Sequence, residues 1–146
     1  MKKFILGLMF LASVSLSAQE LGLRFGNVPV SGESNNVAID GIFSLGEFSR
    51  IHADVSFGDG VGIDALWDFL YRPLGGEALN WYVGAGPSIF IGNDFWFGVS
   101  GEIGLEYAFN GAPIVIGLDY RPTLWFIDDF GFEWGGFGFN VRYRFN

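Results

Sequence analysis

The chain has 146 residues and a formal net charge of −8; half of its residues are hydrophobic, 18% are aromatic and only 16% are charged. The acidic balance excludes nucleic-acid binding, which needs the opposite sign, and the apolar content excludes disorder. Cysteine is absent, which excludes disulfides, thiolate metal sites and thiol nucleophiles.

The N-terminus comes first in chain order. Lys2 and Lys3, the apolar stretch Phe4 to Leu11, and the small residues Ser13, Ser15, Ser17 and Ala18 make the three parts of a secretory signal peptide. Residues 1–18 are expected to be removed, leaving 19–146 as one domain. The apolar stretch is shorter than the ~20 residues of a spanning helix, and no apolar run of that length follows it. Both lysines lie in this segment, so the remainder holds six arginines against sixteen acids.

From Leu21 onward large apolar residues alternate with small or charged ones, the period of two of a β-strand. Leu21, Leu23 and Phe25 begin the apolar face, and Val37, Ile39 and Phe43 continue it. Ile51, Val55 and Phe57 oppose Arg50, His52, Asp54 and Ser56; Ile63, Trp67, Phe69 and Tyr71 oppose Asp64, Leu66, Asp68, Leu70 and Arg72. Trp81 and Val83, then Phe97, Val99, Ile103, Leu105 and Tyr107, and then Ile114, Ile116, Leu118 and Tyr120 carry it on to Phe137, Phe139, Val141, Tyr143 and Phe145. Eight strands result. Gly58-Asp59-Gly60, Leu74-Gly75-Gly76, Gly92-Asn93-Asp94 and Asn110-Gly111 read as turns, the last as a two-residue hairpin. The longest connector is expected between Asn27 and Asn36. Pro87 and Pro122 each lack a ladder donor, so each predicts a bulge or local break.

Three features favour a transmembrane barrel with its apolar face outward. Glycine crowds the polar face (Gly22, Gly84, Gly98, Gly104, Gly138), where a narrow interior gains from missing side chains. Aromatic residues are expected in two girdles, with Phe69, Tyr71, Trp81, Tyr107, Tyr143 and Phe145 at one rim and Phe25, Phe57, Phe97, Trp125 and Trp134 at the other. Eight tilted spans of about 9–11 residues fit the available length, and ten would leave almost no turns. The expected fold is all-β, an eight-stranded antiparallel up-and-down transmembrane β-barrel. Tyr82, Phe90, Leu66, Leu70 and the arginines are large enough to fill and close its lumen.

The last strand, Gly138-Phe139-Asn140-Val141-Arg142-Tyr143-Arg144-Phe145, resembles the closing strand of outer-membrane barrels, although Phe145 is penultimate. The chain from residue 19 on is similar to the small outer-membrane β-barrel proteins of Bacteroidetes-type envelopes. That resemblance implies a bacterial outer-membrane location, contact with outer-membrane lipids and handling by the barrel-assembly machinery. It brings no catalytic residue, substrate or cofactor. A monomer is expected. The lipid A palmitoyltransferase class places its His, Asp and Ser at the external rim, whereas His52 falls at the opposite end.

Chemistry-bearing residues gather on the inward face. Phe57 opposite Val61 sets Arg50 against Asp68 and Asp54 against Asp64. A hairpin pairing Phe109 with Ala112 sets Glu102 against Asp119, two carboxylates that need a cation. Arg121 and Arg142 are available, and Arg142 is expected to serve both acids. The predicted belt is Arg24, Asp40, Asp54, Asp64, Glu102, Asp119, Arg121 and Arg142, a structural plug of paired charges. No ligand spacing specifies a metal, and no serine sits in a nucleophile elbow. Glu33, Asp59, Asp94, Asp128, Asp129 and Glu133 are expected in acidic external loops. A non-enzymatic envelope role follows, with a narrow channel, a lipid-modifying enzyme or a soluble periplasmic barrel for an apolar ligand as alternatives.

Overall fold

The computed structural model describes residues 19–30, 33–46, 48–76, 78–126 and 131–145, together with residues 2, 3, 5, 6 and 9, which are helical. Eight antiparallel strands follow in chain order: β1 (Glu20–Val30), β2 (Glu33–Ser44), β3 (Arg50–Gly58), β4 (Val61–Pro73), β5 (Leu79–Ile91), β6 (Phe95–Ala108), β7 (Ile114–Trp125) and β8 (Gly131–Arg144). Each pairs with its sequence neighbour, and β8 returns to β1 to close an up-and-down barrel. The seam is regular, from Glu20 opposite Arg144 to Gly26 opposite Gly138. Closure leaves no unpaired sheet edge among these strands.

Alternation sets the two faces. Along β6, Trp96, Gly98, Ser100, Glu102, Gly104 and Glu106 are buried, while Val99, Ile103, Leu105 and Tyr107 are exposed. The same division runs round the barrel, so most charges occupy the lumen, together with a few large side chains such as Leu66, Tyr82, Phe90 and Trp96, and most large apolar side chains lie outside. Two interior glycines are required by close approach. A Cβ at Gly104 would enter the Tyr82 ring, and one at Gly138 would enter the Arg24 guanidinium. Gly104→Ala is therefore expected to cost about 1–3 kcal/mol through overpacking, read as a lower urea midpoint for the folded barrel.

Several local expectations are corrected. The region expected to be the longest connector is largely strand: after a register shift between Phe25 and Val28, β1 and β2 stay paired to Val30 opposite Glu33. The β6–β7 connection is not a two-residue turn. The Phe109 N–H donates to the Ile114 carbonyl at 3.0 Å, leaving Asn110 to Pro113 as the loop, because Pro113 has no N–H to extend the ladder. Tyr107 thus faces Ile116 and Gly104 faces Asp119. The two-residue slide preserves both faces but changes every pairing along them.

β4 carries a bulge. Trp67 pairs with Ala85 and Leu70 with Val83, so Asp68 and Phe69 together oppose Gly84. The extra residue reverses the alternation beyond it. Tyr71 turns into the lumen rather than joining the rim, Leu70 pairs with Val83 on the outer face rather than filling the interior, and Arg72 lies outside with its guanidinium 4.0 Å from the Phe48 ring. Pro87 keeps its register with Val99, so the expected break is absent there. Near Pro122 the β7–β8 register does shift, between Arg121 and Thr123. The extra residue belongs to β8, and β7 alternates unbroken through the proline. Trp125 is consequently buried and belongs to the interior, not to the outer girdle.

Candidate functional site

The lumen is layered along its axis, beginning at the end where β1 starts and β8 finishes. Alternating positions on β1, β8, β3 and β6 bring Glu20, Arg142, Arg50 and Glu106 together there. Arg142 donates to Glu20 at 2.8 Å, to Glu106 at 2.5 Å, to Asp40 at 3.1 Å and to Asn140 at 2.6 Å. Arg50 donates to Asp68 at 2.8 Å and to both Glu106 oxygens at 3.0 Å. Its guanidinium lies 4.3 Å from the Tyr71 ring centre and 4.5 Å from that of Tyr82, within cation–π range. The Tyr71 hydroxyl donates to Glu106 at 2.6 Å. This contact exists because the bulge turned Tyr71 inward. Outside this layer, a polar vestibule of about 180 Å³ is lined by Glu20, Ser44, Arg50, Tyr71 and Arg144 among others.

His52 lies in the middle, with none of its surface exposed. Its Nδ1 is 2.9 Å from Glu102 Oε1, and its Nε2 is 2.5 Å from Asp40 Oδ1 and 3.8 Å from Asp54 Oδ1. Cross-strand register explains the density of acid: Asp40 faces Asp54 and Asp54 faces Asp64, three aspartates on three adjacent strands. Like charges directly opposed repel, and Arg121 answers them. It donates to Asp54, to Asp64 at 3.2 Å and to Glu102 at 2.8 Å. On the neighbouring wall Arg24 grips Asp119 through Nε at 3.0 Å and Nη2 at 2.5 Å; Asn140 adds a donor to Asp119 at 3.3 Å.

Beyond the charges comes a hydroxyl layer, Ser88 to Ser100 at 2.5 Å and Ser100 to Thr123 at 2.6 Å. Phe90, Trp96 and Trp125 then cluster at the far end, with the two indoles edge to face at 6.3 Å. Charge, hydroxyl and aromatic layers thus succeed one another along the lumen.

All eight residues of the expected belt are buried in the lumen. They do not form one ring. Arg24 joins Asp119; Arg121 joins Asp54, Asp64 and Glu102; Arg142 joins Asp40. The expected service of Arg142 to Asp119 and Glu102 is corrected, because the longer β6–β7 loop slides β7 so that Glu102 meets Arg121 instead. Arg142 lies opposite Val115, well along the strand from Asp119 opposite Gly138. Arg50 against Asp68 and Asp54 against Asp64 pair as the Phe57–Val61 register requires.

Glu20, Glu106, Asn140 and Tyr71 were missed as members of the network. The parity of Glu106 could have found it, and the bulge hid Tyr71. Of the acids expected in external loops, Asp59 and Asp94 lie in exposed turns, Glu33 begins β2 and Glu133 lies within β8. Asp128 and Asp129 lie outside the described residues.

Among the described buried residues, eight carboxylates face four arginines and one histidine. Burial of that many unmatched negative charges is unfavourable unless protons or cations balance them. His52 has carboxylates at both ring nitrogens. Compared with known proteins, the chain matches no protein-family model and no curated protein sequence.

Proposed function

We propose that this chain is a monomeric outer-membrane β-barrel, exported by the segment 1–18 and inserted by the barrel-assembly machinery. Its role in this reading is non-enzymatic, an envelope structural element in contact with outer-membrane lipids, of the kind found in Bacteroidetes-type envelopes. The observation that carries the proposal is the inverted distribution of side chains. Exposed large apolar residues stand on all eight strands, including Leu23, Val37, Phe57, Ile63, Ile91, Ile103, Leu118 and Phe139, while the interior is ionic. Monomers in water rarely expose continuous apolar patches beyond a few hundred Å², whereas lipid favours such a band. A soluble carrier of apolar ligands needs the opposite arrangement.

Exposed aromatic residues near both ends support the same reading. Trp67, Phe69, Tyr107, Phe109 and Tyr143 stand toward the end where β1 starts and β8 finishes, and Phe25, Phe57, Phe95, Phe132 and Trp134 toward the other. Aromatic side chains concentrate at membrane–water interfaces. Expression of the full-length chain in a Gram-negative host, followed by membrane fractionation and urea extraction, tests the location. The barrel should stay with the outer membrane and change mobility on boiling; recovery in the soluble periplasm would refute the proposal. The stacked layers also predict a non-conducting lumen. Purified monomer in planar bilayers should give no steady ion current, and a stable unitary current would support a narrow channel instead.

A further inference from the structure

The centre of the lumen holds more than a balanced ion-pair network. Asp40 uses Oδ2 to accept from Arg142 and Asp54 uses Oδ2 to accept from Arg121, so an arginine fixes each carboxylate from behind. Their remaining oxygens converge on one imidazole nitrogen, and Asp40, His52 and Asp54 offer donor atoms that all lie within 4.8 Å of one another. Asp54 Oδ1 is buried and receives no N–H donor, and its carboxyl group stands directly against that of Asp40. An anchored, desolvated carboxylate oxygen left in this position is a place for a positive charge. The other face of the ring is arranged to match: Nδ1 lies 2.9 Å from Glu102 Oε1, which Arg121 holds in turn through Oε2. Nε2 lies 2.5 Å from Asp40 Oδ1, so a bound cation takes the place of the proton between them and the two ligand atoms move apart around it. Nδ1 goes on donating to Glu102, the second-shell arrangement that orients metal-bound imidazoles.

We propose that Asp40, His52 and Asp54 bind one divalent transition-metal cation, with Glu102 as the residue that positions the histidine. One nitrogen and two carboxylate oxygens suit Zn²⁺, Mn²⁺ or Fe²⁺; Ca²⁺ and Mg²⁺ favour all-oxygen shells. The cation offsets part of the acid excess of the lumen. The four-residue vestibule layer of Glu20, Arg50, Glu106 and Arg142 separates the site from solvent, so loading accompanies folding. The site requires only the closed barrel, so its failure would leave the membrane proposal untouched.

The test is to refold the urea-denatured chain into detergent micelles with Zn²⁺ or, separately, Mn²⁺, pass it through chelator and count retained metal by emission spectroscopy. About one equivalent should remain on the folded, heat-modifiable form, with Ca²⁺ not retained. His52→Gln and Asp54→Asn should abolish retention, and Glu102→Gln should weaken it by about 10–100-fold. Should the variants fail to fold, X-ray absorption of the Zn²⁺-loaded wild type still decides, because His52 is the sole histidine and cysteine is absent. One imidazole in the metal's shell identifies this site; an all-oxygen shell overturns it. Absence of retained metal, with proton uptake on refolding instead, would also overturn it and assign a shared proton to Asp40 and Asp54. Equal retention by folded His52→Gln would do the same by placing the ion elsewhere.

Discussion

Arg142→Ala should destabilise the barrel by about 3–5 kcal/mol, the scale for removing one partner from a buried ionic group. The side chain is about 1% exposed and holds Glu20, Asp40 and Glu106 at once. Without it, Glu106 retains Arg50 and Tyr71, while Asp40 is left with His52 as its cationic partner among the described residues. The loss should appear as a lower urea midpoint in refolding titrations. A double-mutant cycle separates true partners from neighbours. Arg142→Ala with Glu106→Ala should show clear coupling, whereas Arg142→Ala with Asp119→Ala should show only the weaker coupling relayed through Asn140, which accepts from Arg142 and donates to Asp119. Strong coupling to Asp119 would mean that the β7–β8 register is wrong.

Ile103→Arg is the second large effect, and its sign depends on the solvent around the barrel. Ile103 lies toward the middle of β6, is 52% exposed and points away from the lumen. Against lipid, an arginine there should cost about 2–4 kcal/mol, the range for a cation on a barrel's lipid face near the midplane. In water the same replacement removes an exposed apolar side chain and should leave stability nearly unchanged. Folding of the variant into phospholipid vesicles, compared with wild type by urea titration, distinguishes these outcomes. Equal midpoints would contradict a lipid-facing Ile103.

The architecture was legible because each strand states its faces locally. The alternation in Phe95–Ala108 and in Arg50–Gly58 needs no knowledge of distant contacts, and Gly58-Asp59-Gly60 set the β3–β4 register. What escaped was whatever depends on an extra residue. Asn110-Gly111 suggested a tight hairpin, yet Pro113 lengthens the loop and slides Glu102 from Asp119 to Arg121. The bulge at Asp68–Phe69 sits opposite Gly84, where the missing side chain leaves room for the Asp68 carboxylate. Parity counted from Val61 therefore misassigned Leu70, Tyr71 and Arg72.

The lumen charges were legible as a set but not as pairs, since a pairing error of two residues preserves every face. His52 shows the limit most clearly. Its inward direction follows from alternation, and Asp40 stands on the adjacent β2, two residues from the position that faces His52, but Glu102 comes from β6, a strand that meets β3 only across the closed lumen. No spacing within the sequence encodes that meeting.

The central claim is that the apolar face of a closed barrel lies against lipid while its charges lie within. Absence of native cysteine allows a single reporter to test it: Leu118→Cys, at an outward position 58% exposed, carrying an environment-sensitive fluorophore. Reconstituted into vesicles of lipids brominated at mid-chain, the label should be strongly quenched, while a water-soluble quencher should have little effect. Quenching from the aqueous phase, with none from the brominated chains, would contradict the account.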